Sequence, residues 1–309
     1  RAGVIDDLKD SDQEMIISLN KRDPRFFDAY RINIETGEMK LIAENPGNVI
    51  GWLTDHNGLL RVAITSDGLN TSILYRENES QPFENILTTD FKETLTPFFF
   101  TYDNKNLYAL SNLGRDKTAL VVFDPKTKKE NELIYENPNV DVNGVLASDK
   151  RKKLTAVTYI TDKLHYHFFD EETKAIFQDL TKKIPGYELV ATSSNRDENR
   201  FIIRSYSDKS LGAYYLYDYE KNEIRKIAEV SPWIQEKNMA DMKPIQYTAR
   251  DGLIIHGYLT LPRGIEPKNL PVIINPHGGP WYRDSWGYNA EVQFLANRGY
   301  AVLQMNFRG

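Results

Sequence analysis

Apolar and polar positions alternate with period two through most of residues 1–230, in short runs broken by Gly, Asn, Asp and Pro. The runs share a phrase. "AYRINIETGEMKLI" from Ala29, "SILYRENESQPFENIL" from Ser72, "LVVFDPKTKKENELIY" from Leu120, "HYHFFDEETKAIFQDL" from His165 and "YYLYDYEKNEIRKIAE" from Tyr214 each read as an aromatic/aliphatic strand, a polar turn and a second short strand. Their starts lie 43, 48, 45 and 49 residues apart. A further pair of strands precedes each phrase, as in "GWLTDHNGLLRVAIT", turning at His56-Asn-Gly58, and "TPFFFTYDNKNLYAL", turning at Asp103–Asn106. Four short antiparallel strands per ~45 residues is the pattern of a β-propeller blade, which needs a stacked neighbour to cover its faces. The expected fold is therefore mainly β: a β-propeller with about five blades visible, its ring expected to be incomplete, and "RAGVIDDL" as a strand of the first blade. A β-sandwich is the rival, but it gives no reason for one phrase to recur five times. Helical periodicity is nearly absent here, so Glu171-Glu172 is expected in a hairpin turn.

The grammar changes after residue 240. "VSPWIQEKNMADMKPIQY" reads as a connector, and "PIQYTARDGLIIHGYLTLP" as a hairpin turning at Asp251-Gly252. "LPVII" is a short apolar strand ending in the glycine turn "NPHGG", the form of a strand buried on both faces. "NAEVQFLANRGY" places Val292, Leu295 and Ala296 at helical spacing and ends at Gly299, a helix stop. "AVLQMNF" is a further strand. A hairpin followed by strand–loop–helix–strand is how an α/β-hydrolase sheet begins. The expected division is 1–240 for a partial propeller and 241–309 for the start of an α/β-hydrolase domain, cut short.

Composition narrows the chemistry. Of 309 residues, 40% are hydrophobic, enough for a sizeable core, and the 18 Tyr and 14 Phe favour strands. Net charge is −5 with both signs mixed, so nothing points to nucleic acid. There is no cysteine, which removes disulfides, thiol nucleophiles and Cys-ligated metals, and leaves the compartment open between cytoplasm and periplasm. No run is long and apolar enough for a membrane span. The chain opens on Arg, and the natural N-terminus is expected to be missing. His56, His165, His167 and His256 are scattered. His165 and His167 share a strand face, but no third metal ligand accompanies them.

"YTARDGLIIHGYLTLP" followed by "PVIINPHGGPWYRDSWGYNAEVQFLANRGYAVLQMNFRG" resembles the prolyl oligopeptidase family of serine peptidases, in its acylaminoacyl-peptidase and dipeptidyl-aminopeptidase-like branch. The match rests on His277-Gly-Gly-Pro-Trp281, Arg283-Asp284, Gly299-Tyr300 and Asn306-Phe-Arg-Gly309 in order. The resemblance implies a propeller covering an α/β-hydrolase domain, a Ser-Asp-His triad that cleaves short peptides, and no metal or organic cofactor. In such hydrolases the serine sits in a G-x-S-x-G elbow, and none occurs in this sequence. None of the triad is therefore expected here.

The "NPHGG" turn would be the oxyanion loop, where each fixed N–H donor is worth roughly 3–4 kcal/mol at the transition state. Gly279, and less firmly Gly278, are the candidate donors. His277 holds the place where much of the family has a donating tyrosine, which favours the backbone over a side chain. Trp281 and Tyr282 are candidates for a substrate pocket or for packing, and Asp284 and Arg308 for anchoring. Two rival functions stay open: a non-catalytic propeller used as a binding module, and an acyl esterase on the same scaffold. The uncovered strand edge of a partial hydrolase sheet invites pairing with another chain, so the last ~65 residues are expected to be disordered, packed on the propeller or paired between copies.

Overall fold

The computed structural model describes residues 1–279 and 282–308. The chain divides into two compact units, Arg1–Gly144 and Val145–Gly309.

The first unit holds three consecutive four-stranded antiparallel meanders. They are β1–β4 (Ala2–Asp6, Glu14–Asp23, Phe26–Asn33, Met39–Ala43), β5–β8 (Val49–Thr54, Leu60–Ser66, Thr71–Tyr75, Glu84–Thr89) and β9–β12 (Leu95–Phe100, Leu107–Ser111, Ala119–Asp124, Lys129–Tyr135). Side-chain alternation sets the buried faces. In β9, Leu95, Pro97 and Phe100 turn inward while Thr96 and Phe98 face out. Val62, Ile73, Leu95, Phe100, Leu107 and Phe123 form one core between the second and third meanders. A pleated sheet with an apolar row on each face is stable only when a neighbour covers it.

The second unit opens with a smaller sheet, β13–β15 (Val142–Ser148, Lys153–Ile160, Leu164–Phe168), whose first strand begins at the end of unit one. Here the structure departs from the fivefold strand phrase. Residues Glu171–Lys183 form helix α1, not a turn and a strand, so this meander has three strands. The Asp170 carboxylate accepts the Thr173 N–H as N-cap, acidic residues fill the first turn and Lys182-Lys183 the last. Ile176, Leu180 and Ile184 recur at helical spacing and pack with Leu189, Ile203 and Tyr217 of the next sheet. The alternation of "HYHFF" ends at the cap, and the strand repeat does not extend across residue 170. Glu171 and Glu172 thus stand on a helix, where Glu172 pairs with Arg151 at 2.7 Å and Glu171 with Lys174 at 3.1 Å.

A full four-stranded meander follows, β16–β19 (Glu188–Ser194, Arg200–Tyr206, Ala213–Asp218, Glu223–Glu229). The last sheet is mixed. Its strands β20–β23 (Met242–Thr248, Ile254–Thr260, Val272–Ile274, Ala301–Asn306) lie in the order β20-β21-β23-β22, with helix α2 (Ala290–Ala296) between β22 and β23. β20/β21 and β21/β23 are antiparallel, and β22/β23 is parallel. Parallel neighbours need a crossover, which α2 supplies. Asn289 caps α2 by accepting from Glu291 N and Val292 N, and Gly299 closes the helix exit at φ +91°. β22 is not buried on both faces as its apolar sequence suggests. It is an edge strand, and Val272 and Ile274 are each more than half exposed.

Candidate functional site

Residues 275–279 follow β22, and Asp284 lies against β23. Asn275 N continues the ladder to Leu303 O at 2.9 Å. Beyond it the chain is held by a polar cluster built on Asp284. The Asp284 carboxylate takes His277 Nδ1 at 3.1 Å on one oxygen and Gln304 Nε2 at 2.7 Å on the other. Asn306 clamps the same residue's backbone, accepting Asp284 N at 2.7 Å and donating to Asp284 O at 3.2 Å. Both partners come from β23, so an apolar-looking strand carries the loop's anchors through its two amides.

The His277 side chain is 3% exposed. It stacks on Phe307 at 4.3 Å between centroids, and its Nε2 is buried with no partner among the described residues. The ring is therefore turned into the protein, and Gly278 and Gly279 lie exposed at the turn. A Cβ at Gly278 would meet nothing within 4 Å. The backbone at this corner is open to an approaching group, while the imidazole fixes the corner's position. Tyr282 is 72% exposed, with its ring 5.9 Å from that of His277. Trp281 lies outside the described residues.

The segment after the loop is tied to the preceding sheets. The Arg283 guanidinium donates to Ile160 O and Thr161 O, each at 2.7 Å. Tyr258 OH donates to Asp162 O at 2.7 Å, and burial pushes its phenol pKa up. Lys163 Nζ sits 3.7 Å over the Trp286 ring, whose Nε1 donates to Met242 O. On α2, Gln293 donates to Asp208 O and Ala240 O and accepts Ala240 N. The mixed sheet is thus fastened to the tip of the β14–β15 hairpin and to the β17–β18 turn. Arg308, expected to anchor, forms a bidentate pair with Asp251 at the surface.

Between β17, the β17–β18 turn and residues 282–289 lies a cavity of about 410 Å³. Tyr206, Tyr282, Trp286 and Tyr288 give it aromatic walls, and Arg204 and Gln304 contribute charge and an amide. Neither Arg204 nor Gln304 stood out in the sequence. For Gln304 a signal existed, a lone amide inside an apolar strand. For Arg204 on β17 there was none. Among the described residues no three His, Asp or Glu side chains converge as a metal set. His165 instead stacks on Tyr159 and contacts Asp162 at 3.2 Å. No helix among the described residues is long and apolar enough to cross a membrane.

No family model matches the chain. Individual relatives do. Dipeptidyl aminopeptidase BIII of Pseudoxanthomonas mexicana is 32% identical over 313 residues, spanning 96% of this chain and 44% of that protein. The chain belongs to the prolyl oligopeptidase family. A second relative of this prolyl oligopeptidase-family chain, dipeptidyl peptidase family member 6 of Caenorhabditis elegans, is 25% identical over 96% of the chain and 44% of that protein. A solved prolyl endopeptidase shares the fold at TM-score 0.66 and 12% identity, over 96% of this chain and 45% of that one. The prolyl oligopeptidase-family chain spans less than half the length of the curated relatives it matches along nearly its whole length.

Proposed function

We propose that this chain is the propeller portion and the opening of the α/β-hydrolase domain of a serine peptidase that hydrolyses short peptides. The five meanders are read as blades, and β20–β23 with α2 as the first strands and helix of the hydrolase sheet. The boundary between the two portions is placed near residue 240. The observation that carries the reading is the Asn275–Asp284 corner. Its histidine is sequestered by Asp284 and Phe307, and two exposed glycines are left at the turn. Relatives named for dipeptidyl cleavage support the substrate class.

In this reading the Gly279 N–H, with Gly278 beside it, donates to the oxyanion that forms when a serine attacks the scissile carbonyl. Glycine lets the carbonyl oxygen come close without a Cβ in the way. The Asp284–His277 pair acts as a positioning device that holds the turn rather than as a proton carrier. The serine, its histidine and its aspartate lie outside this sequence, so the chain alone hydrolyses nothing. The uncovered edge of β22 is where the hydrolase sheet continues, or where two copies pair.

The test uses the full gene product and chromogenic dipeptidyl and acylaminoacyl amides. Turnover is expected from that product and not from residues 1–309. Gly279→Pro, which deletes the N–H, is expected to lower kcat by about 100- to 1000-fold. Turnover by the short chain, or an unchanged kcat in the proline variant, refutes the reading.

A further inference from the structure

The cavity beside the loop is lined by two residues that each keep a polar atom without a partner among the described residues. Arg204 projects from β17 between Ile203 and Ser205, and its Nε is buried with no hydrogen-bond acceptor among the described residues. Among the described residues no carboxylate pairs with its guanidinium. Gln304, 3% exposed on β23, gives its NH2 to Asp284 and leaves its Oε1 buried without a donor. Arg204 Nε and Gln304 Oε1 belong to two residues that line this cavity, and buried polar atoms left open cost stability unless something satisfies them. The donor is cationic and the acceptor neutral. The complementary ligand therefore presents an anionic oxygen and an N–H.

Carboxylate fits better than phosphate. A single guanidinium matches one negative charge bidentately, and the Asp284 carboxylate on the same wall disfavours a dianion. Burial pushes the Tyr206 phenol pKa up, and the Arg204 charge opposes that shift. The volume, about 410 Å³, and the walls of Tyr206, Tyr282, Trp286 and Tyr288 suit a short ligand with a flat or apolar substituent.

We propose that this cavity binds an acylated α-amino carboxylate, its carboxylate on Arg204 and its amide N–H on Gln304 Oε1. The group can come from a single N-acyl amino acid or from the C-terminal residue of a peptide. The site is independent of the peptidase reading, because no catalytic residue is needed for it to fill.

Calorimetry on the full gene product tests it with three near-isosteres: N-benzoylglycine, N-benzoylglycinamide and 3-benzoylpropanoate, in which CH2 replaces the N–H. The amide, which lacks the charge, is expected to bind at least about 10-fold more weakly than the acid, and the keto acid about 5-fold more weakly. Arg204→Gln is expected to erase the difference between acid and amide, with its thermal midpoint checked to show that it folds. Equal binding of acid and amide to the unaltered protein, or no binding of the acid, overturns the proposal without reference to any variant. So does unchanged acid affinity in a folded Arg204→Gln, or a preference for inorganic phosphate over the acid. A benzoylated tripeptide acid then separates the two sources. Tighter binding than N-benzoylglycine assigns peptide C-termini, and weaker or equal binding assigns the single residue; either supports the carboxylate site.

Discussion

Asp170 offers a sharp test of how α1 displaces a strand. Its side chain is 5% exposed and takes four bonds: Thr173 N at 2.9 Å, Thr173 Oγ1 at 2.8 Å, Arg151 Nη1 and Lys153 Nζ. Burial alone would push the carboxyl pKa up. The bonds from Lys153, Thr173 and Arg151 outweigh it and hold the group well below the usual carboxylate range. Asp170→Ala removes the cap, worth about 1 kcal/mol, and an ion pair whose breaking costs roughly 3–5 kcal/mol when fully buried. Lys153 is 48% exposed, and Arg151 keeps Glu172 and Glu198, so only about a third of that pair term should survive. The total is about 2–3 kcal/mol. Asp170→Asn keeps an acceptor for Thr173 and should lose about 1–2 kcal/mol. Urea denaturation followed by far-UV circular dichroism reads both. The folded pKa is depressed below the unfolded value near 3.8, so the carboxylate's contribution is complete above that value and is lost as pH falls. The midpoint gap between unaltered protein and Asp170→Asn should therefore be constant from pH 7 down to about pH 5 and shrink steadily between about pH 4 and pH 2. A gap that persists unchanged at low pH, or an Asp170→Ala midpoint equal to the parent's, would refute the capping argument.

Three further outcomes are expected. Gln293→Leu leaves the Asp208 and Ala240 backbone groups unpaired in a site where the side chain is 6% exposed, and should cost about 3 kcal/mol in urea melts. Arg283→Lys keeps the charge but cannot fork to Ile160 O and Thr161 O, so hydrogen exchange should quicken at residues 282–289 while β5–β12 stay protected. Gly212→Ala places a Cβ 1.6 Å from Ser205 O at a φ of +82°, so the soluble yield should collapse, whereas Gly252→Ala, with nothing within 4 Å, should leave the chain soluble with a loss of about 1 kcal/mol.

Much of the fold follows from local rules that the sequence carries openly. Period-two alternation, with turns such as His56-Asn-Gly58, is enough to place most strands, because each residue's face is fixed by its neighbours two positions away. The α2 helix and the Asp251-Gly252 hairpin were legible for the same reason. Residues 171–180, expected as a turn and a second strand, instead form most of a helix, while His165–Phe168 is the strand expected. There a capping aspartate and a four-residue apolar spacing outweigh the repeated phrase. The apolar "VII" strand reads as an interior one yet lies at an edge, because composition reports what a strand can bury and not what lies beside it.

The site divides along the same line. His277-Gly278-Gly279 was visible as a glycine turn after a strand. That the imidazole would be pulled inside by Asp284 and Phe307, seven and thirty residues further on, depended on how β23 runs under the loop. Arg204 and Gln304 were out of reach altogether. They lie 100 positions apart, and only the packing of β17 against the segment after Tyr282 brings them to one cavity. Sequence determines which groups each strand offers and to which face. Tertiary contact decides which of those groups meet, because the energy of a buried donor or acceptor depends on partners that the chain supplies from far away.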